Sequence, residues 1–233
     1  MAALTWDNAG EKLYSTGIEK VALYPYTGNT EENKGPYSKG FAWNGITALN
    51  ITPSGAEATA LYANNQKYLN LMSNEEIGGT IEAYMYPDEW AECDGSAQLI
   101  QGMYIGQQAR KTFGLVGKTL IGNDTDGNAY GYKLHLIYGA LASPSEKANA
   151  TVNDSPEAQT MSWEFTTTPV AIKIDGQNLK PASYICIDST KFTKENKDKL
   201  DALEAALYGT ETEEPYLPMP EKVYEILSGG AQG

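Results

Sequence analysis

Three stretches of the chain alternate apolar and polar residues with a period of two. In residues 80–86 (TIEAYMY), Ile81, Ala83 and Met85 fall on one face and Glu82, Tyr84 and Tyr86 on the other. In 131–138 (GYKLHLIY), Tyr132, Leu134, Leu136 and Tyr138 oppose Lys133 and His135. In 161–166 (MSWEFT), Met161, Trp163 and Phe165 oppose Ser162, Glu164 and Thr166. Such segments are strands with one face on a core and one polar face.

Shorter apolar and β-branched runs predict further strands at 20–26, 45–51, 57–62, 67–72, 114–121, 170–174 and 182–187. Asn64-Asn65, the run from Asn123 to Gly127, and Asp175-Gly176 supply turns between them, so the sheet is expected to be largely antiparallel.

Two stretches change period. Residues 87–95 (PDEWAECDG) predict a short helix, with Asp88 near its N-cap and Gly95 as its stop. Residues 194–208 predict a longer one, with Thr193 as N-cap, Leu200, Leu203 and Leu207 on one stripe, and Gly209 at its end. That stripe needs a sheet to lie on. Beyond it, GTETEEPYLPMPEK is acidic and proline-rich, 223–227 docks or forms a short helix, and SGGAQG is a loose tail. The fold class is therefore mainly β: an antiparallel β-sandwich or barrel-like fold with one flanking helix and a short second one. Residues 1–210 form a single β-rich domain, and 211–233 a C-terminal extension that is partly flexible. The polar stretch 27–41 is expected to be a long loop, a natural arm for a protein that assembles, with Asn29, Glu31, Glu32, Lys34, Tyr37 and Lys39 as inter-subunit candidates.

Composition narrows the function. At 233 residues the chain is long enough to bury a real core, and 41% hydrophobic content with 16 Tyr suits broad sheets. With 17 basic against 30 acidic residues, a net charge of −13, it is not built to hold nucleic acid through phosphate contacts. Cys93 and Cys186 stand too far apart and too alone for a structural zinc site. The first residues lack the pattern of a secretory signal and no apolar run is long enough to span a membrane, so the expected place of folding is a cytoplasm with reduced thiols.

The motifs that suggest chemistry fail on spacing. GLVGKT looks like a phosphate-binding loop, but the first glycine of that motif falls on Thr112, and a β-branched run follows Lys118 where a helix should open. Lys118 is therefore expected to be an exposed or interface charge. Asp124 to Asn128 resembles a calcium loop, but Gly127 comes too early and His135 stands where the bidentate glutamate belongs; a hairpin is the better reading. His135, the only histidine, sits mid-strand with no local catalytic partner. No catalytic residue, metal site or cofactor is expected. Asn50-Ile-Thr52 and Asn149-Ala-Thr151 match the glycosylation sequon, which has no meaning without secretion.

Residues 109–172 as an ordered series, with FGLVGKTLIGND, GYKLHLIYGA, PSE, NDSPE and SWEFTTTP, resemble the major tail protein of long flexible-tailed bacteriophages of Gram-positive hosts. Upstream, WNGIT at 43–47, ATALYAN at 58–64 and GTIEAY at 79–84 resemble the opening strands of that family. The resemblance covers most of 40–190 and is weaker at 27–41 and beyond 190. It implies a structural virion protein of the tail, a tube subunit whose rings of six stack into the channel that delivers DNA, assembled in the host cytoplasm. By the same resemblance its partners are its own copies and the tape-measure, tail terminator and distal tail proteins, while DNA passes without specific binding and no membrane is involved. Strand alternation makes Glu82, Glu164 and Lys133 the candidates to face the lumen. The rival expectations are a carbohydrate-binding β-sandwich, motivated by the tyrosines and acids, and a glycoside hydrolase.

Overall fold

The computed structural model describes residues 4–31, 34–151, 158–174, 176–194 and 196–229. Its elements in chain order are β1 (Tyr14–Glu31), β2 (Gly35–Tyr37), β3 (Phe41–Ala42), β4 (Ile46–Gly55), β5 (Ala58–Ala63), β6 (Gln66–Met72), β7 (Glu75–Ala83) and α1 (Trp90–Cys93). There follow β8 (Ala97–Ile100), β9 (Met103–Ile105), β10 (Phe113–Asn123), β11 (Gly127–Ala142), β12 (Met161–Thr167), β13 (Tyr184–Asp188), α2 (Lys197–Tyr208) and α3 (Pro220–Ser228). A nine-stranded sheet runs β2-β1-β10-β11-β12-β7-β4, with β13 beside β11 and β3 beside β1. Every pairing in it is antiparallel, as the hairpin spacing predicts.

The FGLVGKTLIGN segment is β10, the most enclosed strand of the sheet, paired along its length with β1 and β11. The three alternating stretches place most of their apolar residues as expected; the exception is Met85, which lies beyond the end of β7 and is 65% exposed, while Tyr132 and Met161 are half-buried. Ile81, Ala83, Trp163 and Phe165 are buried in one core with Trp43, Trp90, Phe113, Leu115 and Ile137. Leu134, Leu136 and Tyr138 enter a second core on the other side of β11. The sheet closes around the first core: a Cβ at Gly117 of β10 would lie 3.1 Å from both Ile18 of β1 and Leu49 of β4. Thus β4 reaches across the interior to face strands it does not hydrogen-bond.

β11 serves two neighbours on one edge because it bends. Residues 133–137 pair with β13 and 140–142 with β12. Between them Gly139 has φ +62°, and a Cβ there would collide with the Thr168 carbonyl oxygen. Only glycine fits that combination of backbone angle and approach.

The helical layer covers the second core. Leu200, Leu203 and Leu207 are buried, so the predicted stripe on α2 does lie on the sheet, beside Leu217 and Val223 of the following segment. Buried tyrosine hydroxyls tie this layer down: Tyr24 donates to the Leu207 carbonyl and Tyr138 to the Pro218 carbonyl at 2.9 Å. The Gly139 N–H donates to the Tyr37 hydroxyl at 2.9 Å. Much of the stretch expected as a C-terminal extension is thus built into the layer, and 223–227 is helical within α3. Of the SGGAQG tail, residues 230–233 lie outside the described residues.

Several boundaries are corrected. The stretch 27–41 is mostly strand, because β1 continues to Glu31 and β2 and β3 return along it. Residues 170–174 make one bridge, Val170 to Ala182, instead of a strand. α2 starts at Lys197 behind Asn196, while Thr193 is left outside a 3-10 turn at Ser189–Lys191. Asp188 caps that turn, accepting from the Thr190 N–H at 2.9 Å and its hydroxyl at 2.6 Å. α1 is a single turn at Trp90–Cys93, and Asp88 contributes only its carbonyl, to the Ala91 N–H. Lys118 is not an exposed charge; it is 9% exposed beneath α2.

Candidate assembly surface

Two hairpins stand outside the main sheet. Among the described residues β5 and β6 pair only with each other, closed at Asn64-Asn65, whose φ values of +53° and +60° are those of the turn that matches strand twist. β8 and β9 form the second two-stranded ribbon. Two strands alone are marginal in water, and each ribbon shows large apolar side chains to solvent. On the first these are Leu61, Tyr62, Tyr68, Leu69, Leu71 and Met72, each 41–72% exposed, with Leu61 directly opposite Leu69. On the second they are Leu99, Ile100, Met103, Tyr104 and Ile105, at 39–66%.

Sequence reasoning placed 57–62 and 67–72 as ordinary sheet strands and missed the second ribbon. Its signal was compositional: AQLIQGMYI at 97–105 is a run without charge around Gly102.

A second surface lies on the outer side of β4, β7 and β12. Cross-strand pairs share a face, and here Ala48 meets Glu82 and Ser162, while Asn50 meets Thr80 and Glu164. Thr52 and Thr166 continue the rows through Gly78. Ser54 and Glu76 extend them further, so this face carries hydroxyls, an amide and three carboxylates, with no lysine or arginine in its rows. It groups Glu82 with Glu164. Lys133 is elsewhere: on β11 it alternates with Leu134 and Leu136, on the side that leads to Ile137 and the first core. There it lies opposite Asp188, whose carboxyl is held below the usual range mainly by its hydrogen bonds from Thr190, assisted by Lys133 and Lys191 against the cost of burial.

The residues expected in the 27–41 arm separate. Tyr37 is 6% exposed and belongs to its own chain's core, a correction to its place in a free loop. Lys39 pairs with Glu214 at 3.4 Å, and Lys34 is exposed beside the turn. Asn29 and Glu31 lie in β1, with their side chains, like the whole of Glu32, outside the described residues.

His135 is occupied on both nitrogens, Nε2 to the Thr119 hydroxyl at 2.8 Å and Nδ1 to the Tyr184 hydroxyl at 2.7 Å. Burial, then the neighbouring Lys133, holds its pKa below the ordinary value. It is a neutral bridge across three strands. The Asp124–Gly127 turn is held by Asn123, whose side-chain oxygen accepts from the Thr125 and Asp126 N–H groups at 3.2 and 2.5 Å. Among the described residues no group of three or more His, Cys, Asp or Glu is placed to hold a metal, and no helix is long and apolar enough to cross a membrane.

No family model matches the chain, and no curated protein does. Among solved structures it is similar to a chain in the six-fold symmetrised cryo-EM structure of the anti-feeding prophage baseplate. The identity is 8% and the TM-score 0.38, over 81% of this chain and 100% of that one.

Proposed function

We propose that the chain is a structural, non-catalytic subunit of a phage-type tail, which builds the tail tube from stacked rings of its own copies. The observation that carries this reading is the β5–β6 ribbon: six large apolar side chains exposed on an element that, among the described residues, joins no other strand. A lone chain gains nothing from such a ribbon, whereas an assembling one buries it against a neighbour. The resemblance of residues 40–190 to major tail proteins supports the same reading and suggests six copies per ring. Tape-measure, terminator and distal tail proteins are then its further partners in the virion.

In the ring, the acidic and hydroxylic face of β4, β7 and β12 turns to the bore. A polyanion passing Glu82 and Glu164 is repelled and meets no cation in those rows that would hold it. Lys133, on the other side of β11, is assigned no lumen role.

Negative-stain microscopy of concentrated protein, with light scattering on the same sample, tests the reading. Rings or tubes of uniform diameter are expected. A monomer that persists across the accessible concentration range overturns it.

A further inference from the structure

The two ribbons differ in one respect that matters for what covers them. Residues 97–105 carry no charge, and 58–72 carry only Lys67, in a chain whose net charge is −13. Copies of so acidic a protein repel one another over most approaches, and least where two uncharged surfaces meet. Each ribbon is thus a place where a second copy can come close. Lys67 lies opposite Tyr62 near the tip of β5–β6. Beside β8–β9, exposed Asp88 and neighbouring Glu89 sit next to the Tyr104 hydroxyl. The single cation of one ribbon therefore has an acidic counterpart at the edge of the other.

A ribbon packed on its own equivalent would close a two-fold dimer, leave β8–β9 bare and offer Lys67 no acidic partner, since residues 58–72 contain none. A ribbon packed on the other kind covers both with one type of contact, pairs Lys67 with Asp88, and leaves one unused β5–β6 ribbon at one end of the series of copies and one unused β8–β9 ribbon at the other. Such a head-to-tail contact closes into rings or propagates into stacks.

We infer that the β5–β6 ribbon of one copy docks on the β8–β9 ribbon of the next, with Lys67 against Asp88 at the rim and Leu61, Leu69, Ile100 and Met103 inside the contact. This rests on the self-assembling reading above and names the surface through which it occurs. The occupant is a second copy of this chain.

The test uses two single-site variants of the full chain in a Cys186→Ser background, one Leu69→Cys and the other Ile100→Cys. Both positions are exposed, at 41% and 66%, so neither change opens the core. Each protein is oxidised alone and in an equimolar mixture, at a concentration where microscopy of the Cys186→Ser parent is scored for rings. The expected result is a disulfide-linked dimer in the mixture, at about tenfold the yield of either protein alone, as the heterologous contact demands. Cross-linking of either variant with itself at a yield equal to that of the mixture, or none in the mixture, overturns the docking. Rings without the mixed cross-link leave the assembly reading standing and remove this contact from it. The mixed cross-link without rings or tubes does the reverse. A charge exchange gives an independent readout: Lys67→Glu should raise the concentration needed for association about threefold or more, and Asp88→Lys in the same chain should restore it. If the exchange fails to restore association while both variants stay folded, the docking geometry is wrong.

Discussion

The Lys118 ammonium lies 3.7 Å from the Glu204 carboxylate, and it also lies 3.7 Å above the ring of Tyr132. The Tyr132 hydroxyl in turn donates to Glu204. The lysine that gives GLVGKT the look of a nucleotide loop thus ties the central strand to α2. Both charged side chains are largely withdrawn from water, at 11% and 20% exposure, so removing one strands the other. Glu204→Ala should cost about 2–4 kcal/mol of stability in urea denaturation, and Tyr132→Phe about 1 kcal/mol. Lys118→Met combined with Glu204→Leu should recover most of the loss. An unchanged urea midpoint in Glu204→Ala would show that the pair holds nothing.

That pair marks where strand periodicity stops being informative. Alternation correctly put Ile81 with Ala83 and Trp163 with Phe165, because one buried face imposes a period of two on the sequence. For Lys118 the failed motif spacing left an exposed or interface charge, because period two says which residues share a face, not what covers it. The cover is α2, some eighty residues further on, and no local pattern ties the two together. The same limit hid the ribbons. Residues 67–72 read as an ordinary sheet strand, and only the topology shows that, among the described residues, β6 pairs with β5 alone and leaves Leu69 and Leu71 exposed. Of the surface residues, Glu82 and Glu164 could be grouped by alternation within each strand, but their sharing of one face depends on the β7–β12 register.

The bend in β11 gives a second prediction. Gly139 combines φ +62° with a backbone approach that leaves no room for a Cβ. Gly139→Ala should destabilise the fold by roughly 2–4 kcal/mol, from backbone strain plus the collision with Thr168. Gly102, at a positive φ with open space around it, is the control. Gly102→Asn should change stability by less than about 1 kcal/mol, since asparagine tolerates that backbone region.

The two cysteines should behave differently. Burial, assisted by the nearby Glu92 and Asp94 against Lys111, pushes the Cys93 thiol up to about 12, while Cys186 is exposed on β13. Thiolate is the reactive form. A chromogenic disulfide reagent at pH 8 should therefore titrate one thiol in the native protein and two in denaturant. Two fast-reacting thiols in the native state would contradict the buried position of Cys93 beside Trp90.

His135 should add a pH dependence of stability near neutrality. Its folded-state pKa lies below the ordinary value, through burial first and Lys133 second. The unfolded chain therefore takes up the proton at higher pH than the folded one, and stability falls as the pH drops from the unfolded value near 6.5 toward the lower folded one. Above that window the contribution is fully present. As the chain has a single histidine, His135→Gln should flatten the slope between about pH 7 and pH 5 in denaturation midpoints, leaving only the carboxylate titration at lower pH. A wild-type midpoint that rises on acidification across that range would refute the assignment.

The acidic face of β4, β7 and β12 carries the last prediction, which concerns DNA. If Glu82 and Glu164 keep a passing duplex from sticking, reversing both should create what the wild type lacks. Assembled wild-type particles mixed with linear double-stranded DNA should sediment without it at low salt. Particles of the Glu82→Lys, Glu164→Lys variant should retain DNA at low salt and release it as salt rises, because phosphate neutralisation is offset by counterion uptake. The surrounding rows add one further acid, Glu76 opposite Ser54, beside uncharged threonine, serine and asparagine, so the change in sign at two positions per copy turns the face from acidic to net basic. Variant particles that assemble normally and still exclude DNA would show that this face does not line the bore. In that case the repulsive surface must be sought among the other acidic residues, and the orientation of the subunit in its ring would have to be reversed.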